Sequence, residues 1–424
     1  MPTTRNSGWL LRAFALGVVV CAASLAGAQQ PATPTAPQSS CIDCHAMLDG
    51  PLKVTGEQHM TDIHGAKGLG CESCHGGDPH STDNAMSPAK GFKGKPKRTE
   101  IPKLCASCHS DGAVMRKYNP SLRTDQFAQY LTSVHGKQLA KGDANVAVCT
   151  DCHGVHGILP ANDSRSKVHP LNVVDTCAAC HANAEHMKPY KIPTDQVAGY
   201  SVSVHHEALT VRGDLSAPTC VTCHGNHGAA PPGVGSVVNV CSNCHVFQAQ
   251  LFETSPHKQP FAAAGLPGCV TCHSNHKINH PSDAMIGSGP QSVCTNCHTR
   301  EDAGMKQAVA MQSDLHGLRD AIEKSDELLE RAERSGMEVS QAKLSQTQAK
   351  AALTKARVSI HGFNAAGIKA DVATGMKLAE ENLQAGEQAM AERDYRRKGL
   401  GVAVVLILLT IAGLWLFIRE IERK

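Results

Sequence analysis

The stretch "SVHGKQLAKGDANVAVCTDCHGVHG", Ser133 to Gly157, contains the pattern from which the rest of the chain can be read. Cys149, Cys152 and His153 form C-x-x-C-H. Positions i, i+3 and i+4 of a helical turn lie on one face, so two thiols and an imidazole can meet one flat edge. This is the attachment pattern of c-type haem, in which the thiols add to the vinyl groups and the histidine binds the iron. A zinc knuckle also uses C-x-x-C, but paired zinc ligands give no reason for a histidine to follow each pair.

The pattern occurs nine times and uses 18 of the 19 cysteines. The motifs start at Cys41, Cys71, Cys105, Cys149, Cys177, Cys220, Cys241, Cys269 and Cys294. Their second cysteines are Cys44, Cys74, Cys108, Cys152, Cys180, Cys223, Cys244, Cys272 and Cys297. The expected proximal iron ligands are His45, His75, His109, His153, His181, His224, His245, His273 and His298. Nine haems over residues 41–298 leave about 29 residues each, too few for an ordinary apolar core. The cofactors themselves are expected to form the core, and 4% aromatic residues and 37 glycines suit a chain wrapped round flat groups.

The opening stretch is also a repeat. It recurs as "SVHHEALTVRGDLSAPTCVTCHGNHG" from Ser203 and "SPHKQPFAAAGLPGCVTCHSNHK" from Ser255, with a looser copy, "DIHGAKGLGCESCHGGDPH", from Asp62. Each copy is followed by another C-x-x-C-H, which gives one leading motif and then four two-motif units that should stack. Every unit adds two histidines: His64 and His80, His135 and His156, His205 and His227, His257 and His276. His156 shares a short segment with His153 and cannot easily reach the opposite face of the same haem, so it is expected to ligate a neighbour. Eight distal candidates leave one iron short, and His316 in "DLHG" and His361 in "SIHG" are the further candidates. His59, His169, His186, His206 and His280 are spare, and Met47, Met60 and Met115 are alternative ligand types.

The ends of the chain have other tasks. Arg5 and Arg12 precede an apolar run from Ala13 to Leu25, and small residues at 26–28 suit cleavage, so residues 1–28 read as a secretory signal that carries Cys21 away. Residues 29–40 read as a Pro/Ala/Thr linker. After the nine-haem domain at 41–304, Leu315, Leu318, Ile322 and Leu329 follow helical spacing, as do Ala349, Leu353, Ala356 and Ile360. Two or three long helices are expected over 305–398. "GLGVAVVLILLTIAGLWLFI", residues 399–418, is an uncharged run of 20 residues expected to span a bilayer, with 419–424 as a cytoplasmic tail. The expected fold class is therefore mainly α with extensive irregular structure: a multihaem segment, a long-helix domain and one C-terminal transmembrane helix.

The formal charge is +3. Without the signal the polypeptide is nearly neutral, and each ferric haem with two ionised propionates adds about −1, for roughly −8 in the oxidised form. Basic surfaces then suit as docking partners, and no basic run points to nucleic acid.

The combination of S-x-H-G, C-x-x-C-H-x-x-H and clustered C-x-x-C-H over residues 41–298 resembles the exported multihaem c-type cytochromes of respiratory bacteria. That resemblance implies bis-histidine haems in tunnelling contact. It also implies a role in anaerobic respiration, passing electrons between an inner-membrane quinol-oxidising protein and periplasmic or outer-membrane cytochromes. The implied location is the inner membrane, single-pass, with the haems in the periplasm. The alternative is a multihaem oxidoreductase acting on a small nitrogen or sulfur compound at one open haem, that of His45 being the first suspect. No attachment motif ends in lysine, unlike the active-site motif common in cytochrome c nitrite reductases, so no catalytic residue is assigned.

Overall fold

The computed structural model describes residues 39–231 and 235–423; the signal, Cys21 and most of the linker lie outside them. Among the described residues there is no β-strand, and helices alternate with turns and irregular chain. Up to residue 298 the helices are short, and the C-x-x-C-H motifs sit on them. Seven lie on short α-helices, at Ser40–His45, Glu72–His75, Ile101–His109, Cys149–His153, Val173–His181, Cys220–His224 and Gly268–His273. The other two start on the 3₁₀ turns Val240–Asn243 and Cys294–Asn296. Apolar burial here is confined to small clusters such as Leu139, Val146 and Val148.

The repeat seen in the sequence is a repeat in space. The residue after the leading Asp or Ser of a unit donates its backbone N–H to a carbonyl of the next unit: Ile63 to Ile158 at 2.8 Å, Val134 to Ala229 at 3.3 Å, and Val204 to Ile278 at 2.9 Å. The fourth unit has Pro256 at this position, which has no N–H to give. The leading residue also caps the short helix behind it: Asp62 accepts from His64 N, Ser133 from Gly136 N and Ser203 from His206 N.

In the first motif of every unit the helix stops directly after the histidine in a backbone conformation that favours glycine. Gly76, Gly154 and Gly225 have φ of 68°, 88° and 81° with ψ near ±180°. In the fourth unit the same place holds Ser274 at φ 64°, ψ −172°. This region is almost closed to residues with a Cβ.

Beyond the motifs lie three long helices: α1 (Ala303–Arg334), α2 (Ser340–Ser359) and α3 (Ala365–Glu422). Residues 305, 308, 311, 315, 318, 322, 325, 329 and 332 of α1 are buried, at three- and four-residue steps that make one seam. Ala349, Leu353 and Ala356 of α2 and Ile368 and Ala379 of α3 complete the core. Gly375 and Gly386 bring α3 close to α1, because a Cβ there would lie 2.8 Å from Leu318 and 2.9 Å from Leu328. A buried polar chain fixes the register: Asn382 donates to Gln346 at 2.7 Å, and Gln346 donates to Ile322 O at 2.8 Å and Ser325 Oγ at 2.7 Å.

The bundle is seated on the motif segment by a bidentate ion pair. Arg357 of α2 donates to Asp283 at 2.9 and 2.7 Å, and the Asp283 carboxylate is only 8% exposed. α3 leaves the bundle without a break and runs into the apolar stretch; among the described residues it is the helix long and apolar enough to cross a membrane.

Two stability outcomes follow. Ser274→Gly should stabilise the protein by about 1 kcal/mol, the relief of backbone strain outweighing the added chain entropy. Arg357→Ala, which leaves Asp283 buried and unpaired, should cost about 2–4 kcal/mol. Denaturant unfolding followed by circular dichroism reads both, and a destabilised Ser274→Gly protein would contradict the first.

Candidate haem-binding site

Eight of the nine motif histidines face a second histidine across a gap. In the second motif of each unit the partner is the unit's own leading histidine: His109 with His64 at 6.0 Å between ring centres, His181 with His135 at 6.2 Å, His245 with His205 at 6.4 Å, and His298 with His257 at 5.8 Å. In the first motif the partner comes from the next unit: His75 with His156 at 6.2 Å, His153 with His227 at 6.1 Å, and His224 with His276 at 6.1 Å. The fourth unit has no following motif pair, and its His273 faces His361, 6.1 Å away at the turn between α2 and α3.

These separations test the fit of a haem. With metal–nitrogen bonds of about 2.0 Å and a ring nitrogen about 1.1 Å from its ring centre, two imidazoles on opposite sides of one ion have centres about 6.2 Å apart. Such a gap is too wide for imidazole stacking and too narrow for a second side chain. The facing atoms are the right ones where the contact is close enough to identify them, since His298 Nε2 and His257 Nε2 point at each other 3.5 Å apart.

The other ring nitrogen is anchored by oxygen. His75 Nδ1 donates to Gly94 O at 3.0 Å, His224 to Ala230 O at 3.2 Å, His361 to Val358 O at 2.9 Å and His45 to Leu52 O at 2.7 Å. His64 and His298 donate instead to carboxylates, Asp62 at 3.0 Å and Asp302 at 3.1 Å. With the proton held on Nδ1, Nε2 presents its lone pair to the gap, the usual arrangement of a metal-ligating histidine. Burial, and then the facing imidazole, lowers the pKa of His135, His153 and His273, which keeps the rings neutral as coordination requires.

Cysteines link successive motifs into a row. Cys41 lies against Cys71, Cys105 against Cys149, Cys177 against Cys220, and Cys241 against Cys269. Between these pairs Cys74 neighbours Cys105, Cys152 neighbours Cys180, Cys223 neighbours Cys241, and Cys272 neighbours Cys294. Burial and then the Cys41 thiol push Cys71 up to about 11.

Two carboxylates brace the row, and neither was singled out from sequence. Asp62 caps its own helix with one oxygen and accepts Gly157 N and Ile158 N of the next unit with the other, at 2.9 and 2.8 Å. Burial alone would raise this carboxyl, but the bonds from His64 and Ile158 outweigh it and hold the pKa at about 2. Asp151, between Cys149 and Cys152, takes both ends of the Arg98 guanidinium at 3.1 and 2.7 Å. The only sequence signal for Asp62 was its place where three other units carry serine.

Other sequence candidates fall elsewhere. Among the described residues, no imidazole faces His45, His80 or His316. His280 pairs with Glu207 at 2.7 Å, and His169 Nδ1 accepts from Leu171 N at 3.3 Å. His186 and His206 lie by Tyr190 and Tyr200, and Met47 is exposed. The phenyl ring of Phe363, which sequence reading did not notice, packs on His257 with 4.1 Å between ring centres, so one turn of the bundle touches the last two histidine pairs.

Known proteins resemble this chain over part of its length. Residues 63–182 match the cytochrome c3 family. The chain is 27% identical over 169 residues to the C-type polyheme cytochrome OmcC of Geobacter sulfurreducens, covering 35% of this chain and 20% of that relative. It is 26% identical over 213 residues to the C-type polyheme cytochrome OmcB of the same species, covering 45% and 25%. The matched region thus spans no more than a quarter of these relatives. No solved structure matches the chain.

Asp62→Ala should lose about 2–4 kcal/mol, because a helix cap and two charge-assisted bonds to the next unit go together. Asp62→Asn, which keeps the cap, should lose about half as much. Equal stability of the Ala and wild-type proteins in denaturant would contradict the bracing role.

Proposed function

Because the chain belongs to the multihaem c-type cytochromes, we propose that each of its nine motifs holds one covalently bound haem and that the protein conducts electrons along the resulting row. The observation that carries this reading is the set of eight histidine pairs spaced 5.8–6.4 Å apart and repeating unit by unit. When bound, haem supplies reversible one-electron chemistry at the iron.

The chain's own residues do the rest. The cysteine pairs attach the cofactor at fixed points, and the contacts between neighbouring cysteines keep those points close. The motif histidines bind from one side; His64, His135, His156, His205, His227, His257, His276 and His361 bind from the other and exclude exogenous ligands. The oxygen acceptors at Nδ1 orient the rings and hold the proton away from the iron side. The Asp62 and Asp302 carboxylates make His64 and His298 stronger donors than the carbonyl-anchored rings, which favours the oxidised state where they bind.

The protein is exported through its N-terminal signal and held by the α3 span at the inner membrane, with the row in the periplasm and the last six residues inside. Arg419 lies over Trp415, 4.4 Å from the ring, at the end of the apolar run, a pairing suited to a membrane interface. If the electrons come from quinol, a partner membrane protein oxidises it, and periplasmic or outer-membrane cytochromes exchange electrons with the row.

Intact mass of the mature protein should show nine haems, and a redox titration followed by electron paramagnetic resonance should show predominantly low-spin ferric signals spread in potential. Unmodified thiols in the native protein would remove the proposal. His361→Ala should convert one haem to high spin while His316→Ala leaves the spectrum unchanged; the reverse result would reassign the eighth ligand.

A further inference from the structure

The capping pattern has two clauses, and one motif satisfies neither. A unit's second motif takes its own leading histidine, in four cases out of four. A unit's first motif takes a histidine from whatever follows, again in four cases, the last being His361. The motif at Cys41 stands in the row as a second motif, since Cys41 meets Cys71 as Cys105 meets Cys149, Cys177 meets Cys220 and Cys241 meets Cys269. Its cap should come from a leading D-x-H or S-x-H element before it, and no histidine stands among residues 1–40.

The nearest alternatives are placed for other things. His80 follows its motif histidine by five residues, where His156, His227 and His276 follow theirs by three and reach back to cap a preceding first motif. It is exposed, and its backbone N–H donates to Asp78 at 3.1 Å. His59 stands five residues before His64, where later units place Tyr130, Tyr200 and Phe252 before His135, His205 and His257, so it holds the place of an aromatic side chain in those units. His45 itself is prepared as a ligand: Nδ1 donates to Leu52 O at 2.7 Å, and Val54 N donates to its carbonyl at 3.3 Å. Met47 and Leu52 around it are exposed, at 79% and 60%, so solvent-borne molecules reach this end of the row.

We propose that the haem held by Cys41, Cys44 and His45 keeps its sixth coordination position for an exogenous small ligand, a diatomic molecule or small anion, making the leading end of the row a ligand-binding site. This rests on the reading that every motif carries haem. Eight capped haems then form the conductor, and the ninth is where electrons can meet a diffusible molecule.

The test uses the full-length, detergent-solubilised holoprotein with carbon monoxide as probe. After reduction, about one haem in nine should bind carbon monoxide, and the oxidised protein should show a single high-spin component. Cys41→Ala/Cys44→Ala should remove one haem by mass and abolish both signals while the other eight remain low-spin. His59→Ala and His80→Ala in the otherwise intact chain should leave both signals unchanged. The proposal is overturned if the nine-haem protein binds no carbon monoxide, if binding survives loss of the first attachment site, or if a high-spin component arises only on replacing His59 or His80. All nine haems low-spin would sink this inference and leave the conductor reading standing, whereas absence of bound haem would sink the conductor reading too.

Discussion

Two imidazoles can share one metal ion only if their rings stand about 6 Å apart on opposite sides of it. A short segment cannot fold back tightly enough to supply both, as His153 and His156 illustrate by sitting on different gaps. The chain therefore draws the second ring from farther away: 45 or 46 residues upstream within a unit for His109 and His181, or from the next unit for His75, His153 and His224. Each unit is completed by its successor. Stability then behaves as in other stacked arrays, where nearest-neighbour interface terms add to those of the units themselves.

The same borrowing explains why the helical bundle is joined to the row. His273 would face the next unit's histidine, and the turn between α2 and α3 puts His361 there instead. Phe363 of the same turn packs on His257, and Arg357 pins the adjoining helix to Asp283. The helix that continues into the apolar run is thus joined by packing, through the turn before it, to the last two histidine pairs.

Much of this was legible in the sequence because its chemistry is local. C-x-x-C-H fits within one helical turn, the leading Asp or Ser is a helix cap, and the spacing of Leu315, Leu318, Ile322 and Leu329 marks one face of α1. The extra histidines stood out because they recur. What could not be read was the pairing, which depends on how units are offset along the stack, and the roles of Asp62, Asp283 and Phe363, whose partners lie distant in sequence. Ser274 shows a further limit: three glycines at equivalent positions reveal the demand for an unusual backbone, and only the dihedral angles reveal that serine accepts it.

Pro256 marks where the backbone ladder between units ends. Three units hand a backbone proton forward at that position, and the fourth presents a ring carbon instead. The ladder has no donor here for a fifth copy. The turn that carries His361 and Phe363 covers this end of the stack instead, so the last unit is closed by a segment of different kind rather than by another of its own.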